Sequence, residues 1–453
     1  MLAAPPAGRR AFTKDLPLAA GAAVGADTVA PMPARRLSGW WSALVLLAAM
    51  RLAVPLAAYA DAGSKLPGIP RWNDLGLQGD ANGFYDATRE FMAAWGRLPR
   101  PLLGFAALAA IASGVWLVRA WRRRPELRPW LVPGALFGFG LLVCLDIHWM
   151  NPNGAAVFGW PLVWGIVMLP YRIVFGLTPA VAWNFGFGLS LVFVALTVPA
   201  VAYLGRNATG RRSLGIAAAA FWTAWPLLVG LIAGHGAWTN NQWDVDVGLH
   251  LYDEPLSTLL VTTGAALALA PRATPMRLAL AGCALSVATS VKVSNALLAA
   301  LALAVVFLRG RRREALPYLA GALAFAPVVL VYWPLSYPKL YDNPNSWPHD
   351  PFDVSYVVSS WTQSSIFTPH TLAIVVPLAV VGVFGVLRPW PLALVLAFLF
   401  LNPVFYSFYA NTSEHPRFLY ASLPELFVLW AAGLAVLIRA ATAKHVDARA
   451  LAP

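Results

Sequence analysis

The sequence predicts an all-α, multi-pass membrane protein with about 11 to 13 membrane segments, and three observations carry that reading. Hydrophobic residues make up 59% of the 453 positions and charged residues only 12%, and the mean hydropathy is +0.63. A globular domain with a solvated surface cannot be built from so few charges. The charges are also sorted: 23 of the 33 Lys and Arg fall on one side of the apolar runs, while 14 of the 20 acids and six of the seven His fall on the other. Basic loops stay cytoplasmic. The cytoplasmic side then holds Arg9, Arg10, Arg35 and Arg36, Arg119 to Arg128, Arg206 to Arg212, Arg272, Arg277, Arg309 to Arg313, Arg388 and Arg439. The outer side holds Asp74, Asp80, Asp86, Glu90, Asp146, His148, Asp244, Asp246, Asp253, Glu254, Asp342, His349, Asp350, Asp353, Glu414 and His415. Both termini are expected in the cytoplasm and the chemistry on the outer face of the cell membrane. A net charge of +13 would point to nucleic acid in a soluble chain, but here the excess sits in loops beside anionic lipid, so no nucleic-acid partner is expected. Cys144 and Cys283 both lie in apolar runs, which excludes a disulfide framework and a thiolate metal site.

The elements follow in order. Residues 1–37 are rich in Ala, Pro and Gly and are expected to form a disordered cytoplasmic tail; Arg9-Arg10 through Lys14 also has the look of a twin-arginine export signal. Apolar runs come next at 38–59, 101–118, 130–150, 155–170, 179–204, 213–232, 256–270, 278–308, 315–334, 371–387, 390–409 and 419–438, and a cytoplasmic tail closes the chain at 439–453. Run 155–170 makes no net crossing if Arg206, Arg211 and Arg212 are cytoplasmic and the acids of 244–254 are outside, so 154–178 is expected to be shallow or re-entrant; the alternative is an error of one span. Run 278–308 spans only about 46 Å at 1.5 Å per residue, too short for two crossings. It is expected to be a helical hairpin with Lys292 near its tip.

Three outer segments, 60–100, 234–255 and 335–370, are long enough to carry function. They contain Trp72, Trp95, Trp238, Trp243, Trp347 and Trp361, which suit membrane-interface anchors or stacking faces for sugar rings. In the first, residues 84–95 place Phe84, Phe91, Met92 and Trp95 opposite the charges, the pattern of a helix lying on the membrane surface. Asp80 sits just ahead of it, as an N-cap or as a general base. An ammonium at membrane depth costs about 2.5 to 3.5 kcal/mol, so Lys292 needs a partner, a wet cavity or a lipid phosphate, unless it snorkels to the headgroups. Arg51, in the first span, poses the same choice. Asp253 and Glu254 stand at the start of a helix expected at Pro255, where the dipole favours acids. Asp244-Val-Asp246 spells a weak D-x-D metal motif. Arg417, directly before the last span, can clamp a phosphate or pair with Glu414.

Asp80, Tyr85 and the Ala-Thr-Arg-Glu-Phe stretch after the first span resemble the first outer loop of GT-C fold glycosyltransferases, which include protein O-mannosyltransferases, aminoarabinose transferases of lipid A and polyprenol-phosphate-mannose-dependent mannosyltransferases of actinobacteria. The resemblance continues in Tyr-Asp253-Glu-Pro-Leu, in the small-residue run from Ala281 to Lys292, and in Pro-Arg417-Phe-Leu-Tyr. It implies Asp80 as catalytic base; Lys292, Arg417 and Arg89 as contacts to a donor phosphate; and Tyr85, Asp253 and Glu254 on the substrate side. One family motif after the first loop corresponds to Met150–Gly154, displaced by an inserted hairpin at 101–149. Asp146 and His148 beside it are candidates for an acceptor hydroxyl or a divalent metal ion; no metal ligand set is assigned. The implied donor is a polyprenyl-phosphate sugar, and the acceptor a glycan, lipid or protein hydroxyl. The competing classes are a transporter or lipid-carrier flippase, for which paired broken helices in repeated halves are expected, and an assembly protein without chemistry.

Overall fold

The computed structural model describes residues 34–62, 80–148, 150, 158–176, 178–233, 251–271, 274–309, 312–341, 352–363, 369–386, 388–410 and 415–450. The chain divides into two units, Met1–Ser42, of which only the start of the first helix is described, and Ala43–Pro453. The helices are α1 (Ala34–Ala62), α2 (Asp80–Arg97), α3 (Arg100–Arg123), α4 (Arg128–His148), α5 (Gly159–Phe175), α6 (Pro179–Thr209), α7 (Arg212–Ala233), α8 (Glu254–Ala268), α9 (Pro275–Val291), α10 (Asn295–Leu308), α11 (Arg312–Leu323), α12 (Ala326–Tyr341), α13 (Tyr356–Gln363), α14 (Pro369–Gly385), α15 (Pro389–Tyr406), α16 (His415–Phe418) and α17 (Leu423–Ala450). Short 3-10 turns at Pro125–Leu127 and Tyr420–Ser422 lead into α4 and α17. Among the described residues the only β pairing is an isolated antiparallel bridge between Phe352 and Tyr409. Among the described residues seven helical stretches, at 39–57, 100–123, 125–148, 179–209, 313–335, 389–406 and 420–443, are long and apolar enough to cross a membrane; Gly159–Phe175, Pro275–Val291, Asn295–Leu308 and Leu372–Gly385 are shorter apolar helices. This is a helical, multi-pass membrane architecture.

Local chemistry sets several boundaries. Thr178 and Thr274 accept hydrogen bonds from the N–H groups of Val181 and Arg277, both at 3.3 Å, and each is followed by a proline that needs no donor partner in the first turn. Gly210 ends α6 at φ +75°, a left-handed conformation that only glycine adopts without strain. Expected run 315–334 is interrupted between α11 and α12, where the Phe325 N–H leaves the helical ladder and donates to Ser286 Oγ at 2.8 Å. The last helix does not stop at 438: α17 continues to Ala450 through an Ala-rich stretch of high helix propensity.

The run 278–308 breaks at Lys292–Ser294 into α9 and α10. Tyr318 connects the two halves: a Cβ on Gly282 of α9 would strike its carbonyl, while its hydroxyl donates to the Ala299 carbonyl of α10 at 2.7 Å. A continuous helix would hold residues 282 and 299 roughly 25 Å apart, so α10 folds back along α9. Arg309 at the end of α10 reaches the Ala268 carbonyl at the end of α8, and Lys292 at the break reaches Glu254 at the start of α8. α8 is therefore flanked along its length by the hairpin.

α2 differs from expectation in two respects. It starts at Asp80 itself, so Asp80 lies in the first turn instead of preceding the helix. Its apolar stripe, moreover, is covered by protein. Phe84, Tyr85, Thr88, Phe91 and Met92 are buried, Thr88 Oγ1 donates to the Pro161 carbonyl of α5 at 3.2 Å, and Gly165 of α5 leaves room for the Phe91 ring, into which a Cβ would intrude. Trp160 and Trp164 of α5 stack at 5.6 Å. Trp160 Nε1 in turn donates to the Leu251 carbonyl at 2.9 Å, two residues before Asp253. A chain of packed aromatics thus leads from α2 through α5 to the start of α8.

Small residues let α9 and α11 touch backbone to backbone: a Cβ on Gly282 would collide with α11, and one on Gly321 would collide with α9, the packing on which helix association in lipid relies. Gly282→Ala should destabilise the detergent-solubilised protein by about 1 to 3 kcal/mol through overpacking. A thermal-unfolding midpoint equal to the parent's would show that the two helices can separate freely.

Candidate functional site

Four charged side chains meet where the α9–α10 break approaches the start of α8. Glu254 is the first residue of α8, and Asp253 occupies the N-cap position without making a side-chain cap hydrogen bond. Lys292 follows α9 with extended backbone, φ −142° and ψ 121°. That conformation takes the chain out of the helix and turns the residue toward α8. Arg417 sits in the single turn α16. Lys292 Nζ donates to Glu254 Oε1 and lies 3.7 Å from Asp253 Oδ1. Arg417 Nε donates to the same Glu254 Oε1 at 2.7 Å. One carboxylate oxygen thus holds cations 38 and 163 residues away in sequence.

The cluster is closed off from solvent, with Asp253, Glu254, Lys292 and Arg417 only 2%, 1%, 9% and 4% exposed. Aromatic rings cover its cations. Lys292 Nζ lies 4.8 Å from the Phe418 ring centroid and 5.7 Å from that of Tyr406, whose rings stack at 4.2 Å. The Arg417 guanidinium lies 3.8 Å from the Tyr252 centroid, well inside the range of a cation–π contact. Phe352 extends this wall through Phe405 and Tyr409 at 5.1 and 5.2 Å, and the Asp353 N–H donates to the Phe408 carbonyl at 2.9 Å. Below the cations, Asn295 Nδ2 donates to Ser257 Oγ and to the Ala288 carbonyl, both at 2.9 Å, which ties the hairpin to α8. Ser294 Oγ and the Tyr406 hydroxyl are 3.2 Å apart.

Asp253 and Glu254 precede the apolar part of α8 and respond differently to the same burial. Burial pushes both carboxyls up. For Glu254 the Arg417 guanidinium and the Lys292 ammonium, each hydrogen-bonded to it, outweigh that and hold it below the usual carboxylate range. Asp253 is too far from Lys292 for a hydrogen bond, and the neighbouring Glu254 anion adds to its burial, so it is held above that range. Glu254 Oε2 and Asp253 Oδ1 carry no hydrogen bond among the described residues.

The other expected site residues lie apart from this cluster or outside the described side chains. The Asp80 side chain is outside the described residues; its backbone begins α2. Arg89, expected at a donor phosphate, lies on the exposed face of α2, 3.9 Å from Asp86 and apart from the charged cluster, with its side chain 59% exposed. The reason is helical phase: Thr88 and Met92 are turned inward on the same helix. Tyr85, expected on the substrate side, packs 6.1 Å from Trp164, and burial raises its hydroxyl pKa. Asp146 is fully buried in α4 and neither carboxylate oxygen has a hydrogen bond among the described residues. His148, two residues on, is exposed. Residues two apart on a helix face different sides, so these two do not form a shared ligand pair. Among the described residues no group of three His, Cys, Asp or Glu is placed to hold a metal ion. Asp244, Asp246, Glu414, Trp72, Trp238, Trp243 and Trp347 lie outside the described residues.

Arg51 resolves differently from Lys292. It is 1% exposed, donates through Nη2 to the Tyr420 hydroxyl at 3.2 Å, and lies 5.0 Å from the Trp222 ring centroid, so this side chain ties α1 to the bundle and is not offered to lipid. Sequence reasoning missed Tyr406, Phe418, Asn295 and Glu425. Asn295 was signalled by its place three residues after Lys292. Glu425, fully buried in α17 with neither oxygen hydrogen-bonded among the described residues, was signalled only by being an acid inside an apolar run.

Replacing Glu254 with Gln leaves two buried cations facing one another without their shared anion. Breaking such a pair costs about 3 to 5 kcal/mol, so Glu254→Gln should lower unfolding stability by that amount in detergent, measured by chemical denaturation. A loss near zero would mean that solvent or another anion already carries these charges. Compared with protein-family models and with curated proteins, the sequence gives no match.

Proposed function

We propose that the chain is an integral-membrane glycosyltransferase of the GT-C type, which moves a sugar, mannose or another hexose or pentose, from a polyprenyl-phosphate donor to an acceptor hydroxyl on the outer face of the cell membrane. The observation that carries this reading is the convergence of Glu254, Lys292 and Arg417. Each belongs to a separate motif of the resemblance, and all three meet at one carboxylate oxygen.

The chemistry follows from charge. Asp80 takes the proton of the acceptor hydroxyl as its oxygen bonds to the anomeric carbon; the anomeric carbon–oxygen bond to phosphate breaks, and the phosphate departs with the electron pair. One displacement inverts the configuration. A phosphate leaving group needs no proton, so one carboxylate and a cationic cradle suffice. Glu254 takes Nε of Arg417 and so orients the guanidinium, whose two terminal nitrogens are the pair suited to a phosphate. Lys292 has three donors, one of which is directed at Glu254. Fixed cations in a dry site are worth about 3 to 4 kcal/mol each in the barrier.

A second reading has its own observation. The broken pairs α9–α10 and α11–α12 lie side by side, joined by the Phe325 to Ser286 hydrogen bond, and discontinuous helices are a mark of carriers. Full-length protein in vesicles, given radiolabelled polyprenyl-phosphate mannose and acceptor from a membrane extract, separates the two. Transfer of label to acceptor is expected, with Asp80→Asn reducing it by about a hundred- to ten-thousand-fold while donor binding and the unfolding midpoint are kept. Wild-type turnover in the Asn variant would leave Asp80 as a helix-start residue. Movement of intact labelled lipid across the bilayer without transfer would establish the carrier.

A further inference from the structure

The α3–α4 hairpin is absent from the pattern of the resemblance and takes no part in the charged cluster. Among the described helices of membrane length its first helix is the barest: no residue of the most apolar stretch of α3 is buried, against 33% for the corresponding stretch of α4. Phe105, Leu108, Ile111, Val115 and Trp116 are all exposed along its length.

At the end of that apolar face stands a dense group of guanidiniums. Arg119, Arg122, Arg123 and Arg124 are exposed. Across the 3-10 turn Pro125–Leu127, Arg128 donates to the Trp121 carbonyl at 3.0 Å and lies 5.4 Å from its ring centroid. Glu126 is the one acid between residues 119 and 128. It is 3.9 Å from Arg124, with both side chains more than half exposed, too loose a contact to neutralise the group. Trp121 and Trp130 flank the turn and are exposed, as expected of side chains that seat at a headgroup layer. The carbonyl end of α3 adds partial negative charge that favours the arginines there, and the group still presents a net positive surface to an anion.

We propose that the α3–α4 turn is a binding site for anionic phospholipid: headgroup phosphates bridge Arg119, Arg122, Arg123 and Arg124, and the acyl chains lie along the bare face of α3. The cationic cluster and the apolar face are continuous on one helix. A ligand that fills both must be an amphiphile with an anionic head, which favours lipid over an acidic protein segment. Guanidinium matches phosphate by paired hydrogen bonds. The bound lipid covers α3, which has little protein packing of its own, and holds it against α4.

The test uses the full chain in non-ionic detergent, with lipid retention read by native mass spectrometry and stability by thermal unfolding. The ligands are phosphatidylglycerol, phosphatidylcholine, inorganic phosphate and polyglutamate, and the variant replaces Arg119, Arg122, Arg123 and Arg124 with Gln. Phosphatidylglycerol should be retained and raise the midpoint; phosphatidylcholine and inorganic phosphate should not. The affinity should fall about fivefold per arginine removed, with the variant's midpoint in phosphatidylcholine unchanged because these side chains are exposed. Equal retention of both lipids, a matching shift with inorganic phosphate, or full phosphatidylglycerol affinity in the variant would overturn the proposal. Preference for polyglutamate would assign the surface to an acidic protein and overturn it as well.

Discussion

A single carboxylate oxygen, Glu254 Oε1, organises the packing around the start of α8. It accepts from Lys292 at the α9–α10 break and from Arg417 in α16, and so fastens the start of α8 to two segments that the chain reaches much later. Water cannot serve as the alternative partner here, because all three side chains are nearly excluded from solvent. Each charge is then stable only in the presence of the others. The break in the hairpin is set at the one residue whose side chain must reach that oxygen, and the turn before α17 is held where its arginine does the same.

The aromatic covering follows from the same constraint. A buried cation needs electron-rich surface on the sides that no anion occupies. Tyr406 and Phe418 supply it for Lys292, and Tyr252 for Arg417. Because Tyr406 ends α15, Tyr409 follows three residues later and Phe418 precedes α17, the covering also determines how these two helices approach, and the Phe352–Tyr409 bridge lays the segment before α13 on top. Charge, ring and loop form one connected stack, and the proposed transfer draws on its cations and its dry surround.

Away from the cluster, close contact between helices is achieved with small residues. Gly282 and Gly321 bring α9 and α11 together, and Gly382 and Gly433 do the same for α14 and α17, where a Cβ on either would meet the opposite backbone. In lipid there is no hydrophobic gain from pairing helices, so contact area and backbone approach are what remain. α3 shows the other extreme, with its apolar face bare and its arginines gathered at one end.

Composition and charge order were enough to read the helical membrane architecture, most helix limits, the hairpin around Lys292 and the need of its buried ammonium for a partner, because hydropathy, helix period and the cost of a buried charge act locally or along the chain. They could not say which partner each charge would find. Arg417 bonds to Glu254, which stands 163 residues earlier in the chain, and Arg51, equally placed to snorkel, instead meets Tyr420 and Trp222. Nor did the stripe on α2 distinguish a covering of lipid from one of protein, since both are apolar; α5 supplied the answer with Gly165 and Pro161. Pairing across 163 residues depends on how helices pack, and packing is a property of all the surfaces at once rather than of any one stretch of chain.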